Sequence, residues 1–249
     1  MMYLTESNVR DIIFKQYRYK LQAYLGIFTS LIFIQVLGML FSFSGTGSMG
    51  GGSDAFSYDV RTYSGSLIAI FTLVWAFSHG ISLTTKQQRY DDFNFVTTRQ
   101  VSNVANGLFL VTASGTAAIT GLLTTCVLRL LVTQVLRTPS VAGVQLSVID
   151  VVEGLIGFFL YILLFACVGY FIGMLAQTNK IVAFLLPVLL IGVISIQVYL
   201  GGEGTLLVDI GRFYVLEASF LLFTMKSVIT SALFFLGACM LGNRLEVGV

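Results

Sequence analysis

Few residues of this chain have the types and spacing needed for covalent chemistry. The sequence contains no GxxxxGK[ST] phosphate-binding loop, no HExxH zinc motif, no nucleophile elbow and no paired-carboxylate arrangement of the kind used in catalysis. Its single histidine, His79, has no acidic residue in the neighbouring turns, so an interhelical hydrogen bond is a more common role for it than a proton relay. Cys126, Cys167 and Cys239 are too widely spaced for a disulfide framework or a metal site. We therefore expect no enzyme activity and no metal or cofactor in this chain.

The residues best suited to binding a partner lie in the segment TTKQQRYDDFNFVTTRQVSN, at 84–103. There, Asp91 and Asp92 stand beside Tyr90 and Phe93, at a spacing that predicts a short helix with acids near its positive end and Arg99 near its negative end. Such a helix would display aromatic rings and carboxylates to water. An ordinary polar turn is the alternative interpretation, and loop composition alone gives it about equal weight.

The composition of the rest of the chain is typical of a membrane protein. Apolar residues make up 56% and charged residues 10% of the sequence, which is too little charge to cover a water-facing surface. Because a helix needs about 20 apolar residues to cross the hydrocarbon layer, and alternating strand patterns are absent, we predict an all-α membrane protein with one transmembrane domain over 1–249. Its six predicted spans are 21–43, 65–83, 104–128, 151–175, 181–200 and 220–241.

The distribution of Lys and Arg predicts the orientation of these spans. More of them lie in the inner connections if the N-terminus is inside, so both termini and the 84–103 segment are expected in the cytoplasm. No cleavable signal peptide is expected, and a net charge of +2 does not favour nucleic-acid binding. The glycine-rich stretch 45–54 is expected to be a flexible external linker.

Three further segments have predicted structural roles. Residues 5–20 form an amphipathic helix in the headgroup layer, with a solvated arm as the alternative, and its apolar stripe includes Val9, Ile12, Ile13 and Tyr17. Gly169 and Gly173 form a GxxxG pair for close helix packing, within the chain or between copies. The connection 201–226 is too apolar for a free loop and is expected either to re-enter the outer leaflet or to lie on it without a transport role. The candidate residues of this re-entrant segment are Asp209, Arg212, Phe213 and Glu217.

This arrangement resembles that of type-2 ATP-binding-cassette (ABC) exporter permeases. The resemblance rests on the amphipathic N-terminal helix, the six spans, the helix-bearing segment between spans two and three, and the half-apolar segment before span six. It implies that the 84–103 segment contains a coupling helix that docks on a separate ATPase subunit, and that the segment before span six borders the substrate exit. By this resemblance, the ATPase contact would consist of Arg89, Tyr90, Asp91, Asp92, Phe93, Asn94 and Phe95.

The resemblance also implies partners and a function. The chain would pair with a second copy or a related permease in the inner or plasma membrane, and ATP and Mg²⁺ would be bound by the partner ATPase. The complex would export amphipathic cargo, such as toxin or antimicrobial peptides, or lipid-like or drug molecules. Two other classes stay open: a secondary carrier or channel, and a membrane anchor or sensor without transport.

Overall fold

The computed structural model describes most of the chain in separate stretches. These are residues 9–53, 56–85, 87–88, 99–135, 147–178, 206–215 and 219–244, with isolated positions between 181 and 199. Seven helices and one hairpin occur in them. The helices are α1 (Val9–Ala23), α2 (Leu25–Ser42), α3 (Ser66–Ser82), α4 (Arg99–Val135), α5 (Val148–Thr178), α6 (Leu206–Val215) and α7 (Phe220–Arg244), and the strands are β1 (Gly47–Ser53) and β2 (Phe56–Thr62).

Four of the described helices are long and apolar enough to cross a membrane, namely α2, α4, α5 and α7. The predicted helical, multi-pass membrane protein is therefore confirmed at this level. The helix α3 coincides with the predicted second span and is also apolar, but it has only 17 residues. The predicted fifth span, 181–200, lies mostly outside the described residues, so the count of six spans stays a prediction.

Several predicted span boundaries differ from those of the helices. The first apolar run is divided at Tyr24, where α1 ends and α2 begins. By contrast, α4 has 37 residues and α5 has 31, so both extend well past the predicted spans 104–128 and 151–175. Hydropathy locates the part of a helix that suits lipid, whereas the helix itself continues as long as its main-chain hydrogen bonds continue.

The glycine-rich stretch after α2 is a β-strand, so the prediction of a flexible linker was wrong. Strand β1 pairs antiparallel with β2, from Gly47 opposite Thr62 to Ser53 opposite Phe56. Gly45 turns the chain out of α2 with a φ of 90°, a conformation that favours glycine. At this same, open end of the hairpin, the Ser64 amide donates to Thr46 Oγ1 at 3.0 Å. Pairing satisfies the main-chain groups of a segment that has few side chains to pack.

The core lies where α3 packs between α2 and α5. Its largest buried side chains include Leu31, Phe109, Ile162 and Tyr170. Helix α1 packs against α4, and α7 packs against α5. A second, smaller cluster of Ile68, Leu128 and Val132 lies at the hairpin end of the bundle. This second cluster joins α3 to α4, and Met39 and Phe43 at the end of α2 pack against it.

Candidate functional site

The predicted ATPase contact, Arg89 to Phe95, lies outside the described residues, but both of its flanks are described. Before the segment, Leu83 and Thr84 are buried in the bundle at the end of α3. After it, Val101 and Ala105 are buried in the first turns of α4. The segment is therefore joined at each end to a helix that is fixed in the core.

The end of α3 is in main-chain contact with α5. A Cβ added to Gly80 would overlap the carbonyl oxygen of Ala166, and one added to Gly169 would overlap that of Phe77. Gly173 lies against the main chain of Ile81 in α3 and against the Thr84 hydroxyl just after α3. The GxxxG pair therefore serves an intrachain contact, one of the two possibilities that the sequence left open.

Helix α1 is attached to the bundle through a buried chain of polar groups. Lys20 is 3% exposed, and its Nζ donates to Asn106 Oδ1 on α4. The side-chain amide of Asn106 donates in turn to the Tyr170 hydroxyl on α5 at 3.2 Å. The Tyr170 ring stacks on Phe235 of α7, with ring centroids 5.6 Å apart. One chain of contacts thus connects α1, α4, α5 and α7.

The predicted interfacial residues of α1 are only partly on its buried face. Ile12, Ile13 and Tyr17 are half-buried, whereas Val9 is exposed. The fully buried positions are Gln16 and Lys20, one turn apart in the middle of the apolar arc. The sequence prediction missed them because it treated polar side chains as water-facing, although two polar residues four apart inside an apolar stripe indicate partners in the bundle.

A second polar cluster lies between α2 and α3. Ser30 Oγ lies 3.1 Å from His79 Nε2 and accepts a hydrogen bond from Trp75 Nε1 at 3.0 Å. His79 Nδ1 has no hydrogen-bond partner among the described residues. This confirms the predicted interhelical hydrogen bond of His79. Deeper in the bundle, Gln35 Nε2 donates to the carbonyl oxygen of Ala117 at 3.2 Å.

The segment before α7, which is predicted from the sequence to lie on the outer side, contains a helix, α6. Asp209, Arg212 and Phe213 are exposed on it, and Glu217 lies outside the described residues. Lys226 Nζ lies 4.0 Å from the centroid of the Phe213 ring, a cation–π contact. The Tyr214 hydroxyl donates to Thr230 Oγ1 at 2.9 Å. These contacts attach α6 to the first turns of α7, and its re-entrant or interfacial position stays a prediction.

A cavity of about 360 Å³ opens between the hairpin-side ends of α3, α4 and α5. Its inner walls are apolar, and two charged residues, Arg129 and Asp150, stand on its lining. Neither was a predicted site residue, because the sequence alone does not show that the end of α4 and the start of α5 face one space. Among the described residues, the lining consists of Gly65, Ser66, Ile68, Ala69, Gly121, Leu122, Thr125, Cys126, Arg129, Asp150, Val151, Gly154 and Phe158.

In the part of the chain that the structure describes, no group of His, Cys, Asp and Glu side chains could hold a metal ion. The three cysteines are free thiols. The chain matches no known family, and no curated protein or solved structure is detectably similar to it.

Proposed function

We propose that the chain is the permease subunit of an ATP-driven exporter, with a separate ATPase docked on the segment 89–95. The observation that carries this proposal is the burial of both flanks, Leu83 and Thr84 on one side and Val101 and Ala105 on the other. A segment held between two buried anchors passes a force to its helices instead of absorbing it. Charged and aromatic side chains at that place suit a protein partner.

The packing around the anchors supports a route for this force. The end of α3 touches the main chain of α5 at Gly80 and Gly169, so a push on α3 reaches α5 without an intervening side chain. On the other side, Asn106 lies two turns into α4 and is bonded to both α1 and α5. Closure of the ATPases would thus move α1, α3, α4 and α5 together between two arrangements of the bundle.

The energy source follows from what the sequence lacks. Because its 249 residues contain no GxxxxGK[ST] loop, ATP and Mg²⁺ would be bound by the partner ATPase. The second permease of the complex is a second copy or a related chain. Because charges are rare inside the apolar helices, an amphipathic cargo, such as a peptide or a lipid-like molecule, suits the pathway better than an inorganic ion.

The test is reconstitution with a candidate ATPase, beginning with any that is encoded next to the gene for this chain. We expect the two proteins to copurify, and ATP to drive export of an amphipathic peptide from proteoliposomes. The double variant Asp92→Ala, Phe93→Ala is expected to lose both copurification and transport while still inserting into membranes. The matched control, Asp11→Ala with Phe14→Ala, removes an exposed acid and an exposed aromatic ring from α1. We expect this control to retain both copurification and transport. Transport without any ATPase, or full activity of the double variant, would refute the proposal.

A further inference from the structure

The cavity between α3, α4 and α5 has the position of a lipid site. Arg129 follows the predicted apolar span 104–128 directly, and Asp150 precedes the span 151–175 directly, so both charges stand at the level of the lipid headgroups. From Arg129 the lining continues two turns back along α4 to Gly121, which is about 12 Å at 1.5 Å per residue. The cavity therefore extends from headgroup level into the acyl layer.

Both charged groups are available to a ligand. The Arg129 side chain forms no ion pair or hydrogen bond within the described part of the chain; the bond from Thr133 Oγ1 goes to its main-chain carbonyl. One carboxylate oxygen of Asp150, Oδ2, accepts from the Ser147 amide at 3.1 Å, in the cap of α5. This bond fixes the Asp150 side chain, and the other oxygen, Oδ1, has no partner among the described residues.

We propose that this cavity binds a phospholipid whose headgroup carries both a phosphate and a primary amine, with the phosphate on Arg129 and the ammonium on Asp150. Arginine is well suited to phosphate because its planar donors match two phosphate oxygens. An anionic headgroup without an amine would pair with Arg129 but leave its charge next to an unpaired Asp150. A fatty acid would place a second carboxylate beside that of Asp150. The pair of opposite charges therefore favours a zwitterion.

The size and walls of the cavity fit part of such a lipid. A volume of about 360 Å³ is at the lower end of the range for ligand sites, so it accommodates the headgroup and the first part of one acyl chain. Ile68, Leu122 and Phe158 give that chain an apolar wall. Beside the cavity, Leu123 and Val127 are exposed on α4, and the rest of the acyl chain can lie along these two side chains in the bilayer. All of the lining residues described belong to one copy of the protein.

Gly154 offers a way to close the cavity. It is exposed on the lining, and a Cβ added there meets no atom within 4 Å, so a larger side chain can enter the open space without displacing a helix. Gly26 on α2 has the same open surroundings and does not line the cavity. Gly154→Leu and Gly26→Leu are therefore a matched pair.

The test is native mass spectrometry of the delipidated protein in detergent, titrated with phosphatidylethanolamine, phosphatidylglycerol or soluble glycerophosphoethanolamine. Arg129→Gln and Gly154→Leu are each expected to lower retention of phosphatidylethanolamine about tenfold or more. The first removes a charge-assisted hydrogen bond to the phosphate, and the second fills the cavity. Asp150→Asn still accepts from Ser147 and is expected to lose only the preference for phosphatidylethanolamine over phosphatidylglycerol. Gly26→Leu and Arg212→Gln, an exposed arginine on α6, should bind as the wild type does.

A second measurement keeps the test decisive if Gly154→Leu folds poorly. Cys126 lines the cavity and is exposed, so phosphatidylethanolamine should slow its reaction with a maleimide in the wild-type protein. Equal lipid retention by Arg129→Gln and the wild type would overturn the site. An unchanged lipid preference in Asp150→Asn would refute the contact between Asp150 and the amine. If soluble glycerophosphoethanolamine bound as tightly as phosphatidylethanolamine, the ligand would not be recognised as a lipid. The assay contains no ATPase and no ATP, so its outcome is independent of the proposed exporter function.

Discussion

A methyl group added to Gly169 would directly test the contact between α3 and α5. In Gly169→Ala, the new Cβ would lie 3.0 Å from the carbonyl carbon and 3.1 Å from the Cα of Phe77, and it would overlap the carbonyl oxygen. Well-packed carbon atoms are about 3.5–4.0 Å apart, so the two helices must separate by about 0.5–1 Å. Main-chain atoms cannot rotate aside as a side chain can. Such overpacking costs about 1–3 kcal/mol.

Gly154→Ala on the same helix provides the reference, because its Cβ meets nothing within 4 Å. Both substitutions gain the same intrinsic helix propensity, about 1 kcal/mol, so their difference isolates the packing cost. We expect Gly169→Ala to be less stable than Gly154→Ala by about 1–3 kcal/mol, which at about 2–4 °C per kcal/mol lowers Tm by about 2–12 °C. Thermal unfolding in detergent, followed by the fluorescence of the single tryptophan, measures it. Equal or higher stability of Gly169→Ala would show that α3 and α5 are not in main-chain contact.

Two further predictions concern the buried polar clusters. Asn106→Ala removes the link between Lys20 and Tyr170, so we expect the free energy of unfolding to fall by about 1–3 kcal/mol and hydrogen exchange over residues 9–23 to become faster. The control, Asn103→Ala, lies one turn earlier on α4 and should leave hydrogen exchange of α1 unchanged. An equal effect of the two substitutions would contradict the link. Ser30→Ala deprives the Trp75 indole N–H of its acceptor, so we expect a similar loss of stability and a shifted emission spectrum. Its control, Ser78→Ala, removes a hydroxyl that bonds only to Val74 of its own helix, and a spectrum of Ser30→Ala identical to that of the control would refute the assignment.

The sequence predicted the helices better than their ends. Apolar runs of bilayer length located α2, α4, α5 and α7, because burial in lipid requires a continuous apolar surface. The same signal could not place the start of α4 at Arg99 or its end at Val135, since polar residues continue a helix when its main chain remains hydrogen-bonded. The hairpin was missed because glycine-rich sequences have low strand propensity, and its stability comes from pairing with the segment that follows.

The candidate sites were harder to predict than the fold. The buried positions of Lys20 and Gln35 depend on partners more than 80 residues away, Asn106 and Ala117, which no local pattern reveals. Arg129 and Asp150 line one cavity only because α4 and α5 are antiparallel neighbours. The residues of the proposed ATPase contact, 89–95, stay a prediction from the sequence.

The length of α4 has a mechanical consequence. Its 37 residues make a rod of about 55 Å, against about 30 Å for the hydrocarbon layer, so the helix must lean or project into water. Because the segment 89–98 adjoins Arg99, a tilt imposed there would pivot the rod about its Arg99 end. Pivoting it by about 10° sweeps the far tip through roughly 10 Å, a displacement comparable to the width of a helix. A small change of tilt imposed at the Arg99 end would therefore displace the far end of α4, beyond Arg129, by about the width of a helix.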